Sequence, residues 1–204
     1  MERYLEYERE ADRLELIIIR PIYSIVISIV LAIYGCIAGI CQSIQWIIVM
    51  ITGERNEGLN DYVRQYVSFS IQVVAYTYAL SDIHPELTPK RMRVFFEELE
   101  YGNHMEEYLM FELEASRLEF LIIRPIYSWI LTIVLMIYAC IAGICQSIQW
   151  IIVLITGERN EGLNHYVRQY VVFSMQVAAY TNALTDRHPD FGPRSVNVFL
   201  ERLE

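Results

Sequence analysis

Lysine is almost missing from this sequence. Of its sixteen basic residues only Lys90 is one, and nothing in the sequence explains the bias. With a net charge of −9 and no basic surface interleaved with aromatics, nucleic-acid binding is not expected. Cysteine is scarce and badly placed for a disulfide framework or a zinc site. Cys36, Cys41, Cys140 and Cys145 all lie inside apolar runs, without thiols or histidines at ligand spacing. Residues five apart on a helix diverge by about 140°, so each pair points to two faces and reads as buried free thiols. Histidine offers little more. His84 and His188 sit in Asp82-Ile83-His84-Pro85 and Asp186-Arg187-His188-Pro189, where turn chemistry accounts for them, and His104 and His165 have no counterpart histidine. There is no phosphate-binding glycine loop, nucleophile elbow, metalloprotease helix or haem-attachment motif. No metal, cofactor or enzymatic activity is therefore expected. Met1–Glu15 is acidic and polar, unlike a cleavable signal.

What is abundant is apolar surface. The sequence is 54% hydrophobic, with a mean hydropathy of +0.28 and its charge gathered outside long apolar runs. An internal repeat organises it. Residues 1–100 align without gaps onto 105–204, leaving 101–104 as a junction, and roughly 70 of the 100 aligned positions are identical. Cys36–Val49 recurs unchanged as Cys140–Val153, and Ile51–Asn60 (ITGERNEGLN) as Ile155–Asn164.

Each repeat reads as a helical hairpin. Leu16–Ile51 contains the single charge Arg20, and the uncharged run from Ile22 to Ile51 would be about 45 Å long as a helix, more than hydrocarbon requires. Pro21 suits a first turn, Gly53 a left-handed end, and Asn60 could cap the following helix. The expected helices are about 20–52 and 60–81, then about 124–156 and 164–185. The fold class is an all-α integral membrane protein: two tandem transmembrane hairpins, four spans, parallel repeats. Thr88–Glu100 and Gly192–Glu204 are expected as short amphipathic helices, with Met92, Phe95, Phe96 and Leu99 on one face. Most arginines fall in the terminal and linker segments, which predicts cytoplasmic termini and GERNEG loops outside.

Several residues stand out against this background. Gly35, Gly39 and Ser43, with Ala139, Gly143 and Ser147, form a small-xxx-small pattern for close helix approach. Gln42, Gln45, Ser68 and Gln72, with Gln146, Gln149 and Gln176, are expected to form an intramembrane polar cluster, either as interhelical hydrogen bonds or as a pathway. Arg20, Arg64, Arg124 and Arg168 are expected to snorkel at the interfaces. Trp46, Trp150, Tyr62, Tyr66, Tyr166 and Tyr170 read as an aromatic belt.

Arg20-Pro21-Ile22-Tyr23, Thr52-Gly53-Glu54-Arg55, Ala75-Tyr76 and Asp82-Ile83-His84-Pro85 recur as Arg124-Pro125-Ile126-Tyr127, Thr156-Gly157-Glu158-Arg159, Ala179-Tyr180 and Asp186-Arg187-His188-Pro189. In these motifs each copy resembles the small prokaryotic membrane proteins of domain of unknown function family 4389. The departures are the duplication and a histidine where an aromatic is expected before proline. The resemblance implies residence in a prokaryotic cytoplasmic membrane and supplies no catalytic residues. The expected partners are the lipid bilayer and other membrane subunits, or self-association. The expected function is a non-catalytic scaffold or accessory subunit, with a small transporter or channel built on the glutamines as the alternative.

Overall fold

The computed structural model describes residues 2–3, 5, 7–80, 82–90, 92–98, 105–107, 109–193 and 196–202. Each repeat contributes a long helix and a shorter one: α1 (Arg20–Thr52) and α2 (Glu57–Thr77), then α3 (Arg124–Thr156) and α4 (Glu161–Thr181). A π-helical turn, Glu15–Ile19 or Glu119–Ile123, runs straight into each long helix. Pro21 and Pro125 have no N–H to donate back into that turn, and a widened turn accommodates the missing bond. Gly53 and Gly157 close the long helices in left-handed conformation, at φ 81° and 79°. Gly53→Ala should therefore cost about 1 kcal/mol in equilibrium unfolding. A cost no larger than that of an alanine at exposed Gly39 would contradict this reading. The second helix starts three residues before the expected Asn60. Asn56 is the cap, its side chain accepting from the Leu59 N–H at 3.2 Å, and Asn60 is buried inside the first turn.

The segments expected as amphipathic helices are strands. β1 (Glu2–Arg3), β2 (Met92–Glu98), β3 (Met105–Glu107) and β4 (Val196–Arg202) form one antiparallel sheet in the order β1-β4-β2-β3. Met92–Glu98 satisfies a strand as well as a helix: Val94 is buried while Arg93, Phe95 and Glu97 alternate away from it. Pairing with the other repeat decides between them, because β2 and β4 are counterparts and pair over seven positions. Phe95 lies opposite Phe199, its own equivalent, so a pseudo-two-fold axis passes through the sheet at that pair. The expected Leu99 lies outside the described residues.

The repeats are antiparallel, not parallel. The segment leading into α1 is clasped to the loop between α3 and α4, where Ala11 N–H donates to the Gly157 carbonyl at 3.1 Å and Arg159 N–H to the Arg9 carbonyl at 2.8 Å. The segment leading into α3 is clasped in the same way to the loop between α1 and α2, through Ala115 N–H to Gly53 and Arg55 N–H to Leu113. The expectation that loops and lead-in segments face opposite sides is thereby corrected: each end of the bundle holds the loop of one repeat and the lead-in of the other. The linker from α2 to α3 crosses the length of the bundle, with β2 part-way along it.

Three tiers result. Ile27 of α1 packs on Phe69 and Val73 of α2, and Leu131 of α3 on Phe173 and Val177 of α4. The other side of the short helices (Val63, Val67, Ile71 and Ala75 in α2, Val167, Val171 and Met175 in α4) shares one core with Val94 and Val198 of the sheet. The sheet thus covers α2 and α4, while α1 and α3 sit beneath them with much of their surface open. Cys36 and Cys140 lie on that open surface as free exposed thiols and Cys41 and Cys145 are half-buried, which corrects the reading of all four as buried.

Candidate functional site

Where α2 ends, Ala79 adopts a left-handed conformation (φ 53°), and the Ala79 and Leu80 N–H groups fold back onto the Tyr76 and Ala75 carbonyls. This turn brings Asp82 and His84 against the start of α1. There the Arg20 guanidinium, 1% exposed, donates to the Tyr76 carbonyl and to Asp82, with its Cζ 4.6 Å from the centre of the Tyr76 ring. A second arginine arrives from the other repeat. Arg159 donates to Asp82 at 2.5 Å and to the Glu8 and Glu10 carbonyls at 3.1 and 3.2 Å. Behind the arginines, Glu15 accepts the Tyr76 hydroxyl at 2.7 Å and lies 3.3 Å from Nε2 of His84. The Tyr23 hydroxyl donates to the Pro85 carbonyl.

The other end of the bundle repeats this junction. Arg124 donates to the Tyr180 and Thr185 carbonyls and to Asp186. Arg55, from the first repeat's loop, donates to Asp186 and to the Glu112 and Glu114 carbonyls, both at 3.0 Å. Glu119 holds the Tyr180 hydroxyl at 2.7 Å, with His188 3.4 Å away. Each junction sets two arginines against one aspartate and one glutamate, and a further glutamate, Glu8 or Glu112, lies 3.7 or 3.6 Å from the loop arginine. Each arginine thus has a carboxylate partner within the chain, and the hydrogen bonds run between repeats or from a helix end to a turn. Such an arrangement fixes geometry. The clasp is finished at the surface by Arg9, whose hydrogen bonds to Glu158 at 3.0 and 3.1 Å push its guanidinium up from its ordinary value.

The residues singled out from the sequence take other places. Arg20 and Arg124 do not snorkel; they are the buried centres of the junctions, because an aspartate and a helix-end carbonyl replace water. Arg64 pairs with Asp61 at 2.6 Å within its own helix, and Arg168 donates to the Leu5 carbonyl at 3.3 Å. Gln45 and Gln149 are buried and accept the N–H of Asn56 and Asn160 at 3.2 Å, tying each long helix to its own loop. Gln72 donates to the Ser68 carbonyl at 3.4 Å, both residues being buried. Gln42, Gln146 and Gln176 are half-buried. These amides are spread along two separate hairpins.

Of the small residues, Gly35 makes a close approach: a Cβ there would meet the Tyr66 hydroxyl at 3.2 Å and its ring at 3.3 Å. Ala139, its counterpart, is half-buried against the core. Gly39 and Gly143 have nothing within 4 Å of a Cβ, and Ser43 and Ser147 are exposed and donate to their own helices at 2.8 Å. The packing stripe thus reduces to its first member, because α1 and α3 turn the rest outward. Trp46 and Trp150 do not form a belt. They pack inside the bundle ends, Trp46 with Val49, Phe120 and Ala183, and Trp150 with Leu16, Ala79 and Val153.

Glu15, Arg55, Tyr76, Asp82 and their counterparts are the site residues that sequence reasoning missed. Their signal was present in the recurring motifs, since the arginine-proline start, the Gly-Glu-Arg loop and the Asp-x-His-Pro turn are what converge at each junction. The family model for Domain of unknown function (DUF4389) matches twice, at residues 15–87 and 119–192. The chain belongs to this family. It is a tandem duplication of that domain, and each match holds one Arg-Pro start, one loop arginine and one Asp-x-His-Pro turn. No curated protein and no solved structure matches the chain.

Proposed function

We propose that this DUF4389 tandem protein is a non-catalytic, membrane-embedded scaffold or accessory subunit of a prokaryotic cytoplasmic membrane. One observation carries the reading. The helices of residues 15–52 and 119–156 are long and apolar enough to cross a membrane, with mean hydropathies of 2.5 and 2.3. Yet only 17% and 11% of their most apolar windows are buried within the chain. A core helix of a water-soluble domain would be covered by its own protein, and rows of exposed isoleucine of this extent call for lipid or a partner.

The polar residues support the scaffold reading over chemistry. The junction arginines and acids are taken up in joining the repeats, and Gln45 and Gln149 in tying helices to loops, so these features are those of a rigid body that presents surface. The excess of arginine in the charged segments favours a cytoplasmic position for them. On blue-native electrophoresis after gentle solubilisation, the protein is expected to migrate in an assembly well above its own 24.0 kDa. A lone, monodisperse protomer from native membranes would overturn the assignment.

A further inference from the structure

Resting on that membrane reading, we propose that α1 and α3 lie flat in one leaflet, their open faces among the acyl chains and the sheet in water, and that neither helix crosses the bilayer. Length is the first argument. The uncharged stretch from Ile22 to Ile51 is about 45 Å of helix against about 30 Å of hydrocarbon. Fitting it by tilt alone needs an inclination near 50°, beyond the roughly 0–40° found for spanning helices. A flat helix about 10 Å across fits within a single leaflet instead.

The second argument is where the charge lies. In an antiparallel pair of hairpins, upright helices would put the pseudo-two-fold axis in the membrane plane. The sheet on that axis would then stand at mid-bilayer depth. Its outward positions carry Arg93, Glu97, Glu107 and Glu201, with Arg93 and Glu107 3.8 Å apart. Among the described residues no further strand lies beside its edge strands β1 and β3, and an open sheet edge is not tolerated in lipid. Turning the axis along the membrane normal removes both conflicts at once. The charged sheet then faces water, α2 and α4 form the middle tier, and the apolar tier faces the leaflet. Ile25, Ile40 and Ile51 on α1 and Trp129 on α3 are 61–75% exposed, and that tier offers them hydrocarbon. Both charged junctions, at opposite ends of the bundle, come to the same interface.

The test uses the full chain in bacterial membranes, its four cysteines replaced by alanine, with Glu54→Cys, Glu158→Cys or Lys90→Cys added singly. A membrane-impermeant maleimide is applied to spheroplasts and to inverted vesicles. All three positions are expected to react from the same side only. Reaction of any one from the opposite side overturns the proposal, because four spans require the loops and the linker to be separated. A second readout replaces Ile25, Ile40 and Ile51 singly by cysteine carrying a fluorophore, quenched by lipids brominated at defined acyl depths. The three are expected at one depth. A profile deepest at Ile40 indicates a crossing helix, and absence of quenching with a doubled mass indicates that a second copy covers the face; either result sinks the inference. Release of the chain by alkaline carbonate would instead refute the membrane reading beneath it.

Discussion

Asp82→Ala is expected to remove about 3 kcal/mol of stability, measured by equilibrium unfolding in detergent micelles, because it removes the carboxylate that two buried arginines share. The side chains of Arg20 and Arg159 are 1% and 2% exposed, and both donate to Asp82. The aspartate itself is 31% exposed, which places the loss at the lower end of the 3–5 kcal/mol usual for breaking a buried pair. Arg9→Ala is the control. It removes the Arg9–Glu158 pair, whose side chains are 72% and 51% exposed, and the melting curve should scarcely move. Asp186→Ala should match Asp82→Ala, since it takes the shared carboxylate from Arg55 and Arg124 in the same way. The junctions stand at opposite ends of helices about 50 Å long, so the two losses should add to about 6 kcal/mol, comparable with the whole stability of many domains. A loss under about 1 kcal/mol for Asp82→Ala would mean that water or lipid headgroups replace the carboxylate, and that the junction is not a structural joint.

The elements themselves were largely legible in the sequence, and their arrangement was not. Pro21 and Gly53 mark the limits of α1 because each has a local stereochemical reason to sit there, and the repeat is explicit in the identity of residues 36–49 with 140–153. Asn56 and Asn60 are both able to cap, and choosing between them needs the loop geometry that Gln45 fixes from the helix before it. Met92–Glu98 was misread because its apolar residues satisfy two periodicities, and its strand form is selected by a partner 104 positions away. The direction of the second hairpin was hidden for a related reason. An even number of helices per repeat suggests parallel copies only if the linker stays at one end, and no local feature of residues 78–118 shows that it crosses. Arg20 looked like an interface residue because a lone arginine beside an apolar run usually is one, and the aspartate it needs lies 62 residues further on.

Cutting the polypeptide between the repeats should leave it assembled. The four junction residues 101–104 lie outside the repeat alignment and can be replaced by a protease site of similar length. The joining contacts do not depend on that peptide bond: β2 pairs with β4 over seven positions, each lead-in segment is clasped to the other repeat's loop, and α2 and α4 share one core. The cleaved halves, each carrying a different tag, should co-purify in detergent with a Kd below about 1 μM, or at least about 8 kcal/mol of association free energy. Arg55→Ala with Arg159→Ala removes a buried charge from each junction, and truncating one such partner costs about 2–5 kcal/mol. The pair of substitutions should weaken association by a factor on the order of 10³ or more while leaving helix content unchanged. Halves that separate at micromolar concentration would show that the linker, not the reciprocal junctions, holds the repeats together. Halves that stay joined would mean that each repeat carries, within 100 residues, the contacts needed to bind the other, as expected if the duplicated chain descends from a two-fold homodimer of single domains.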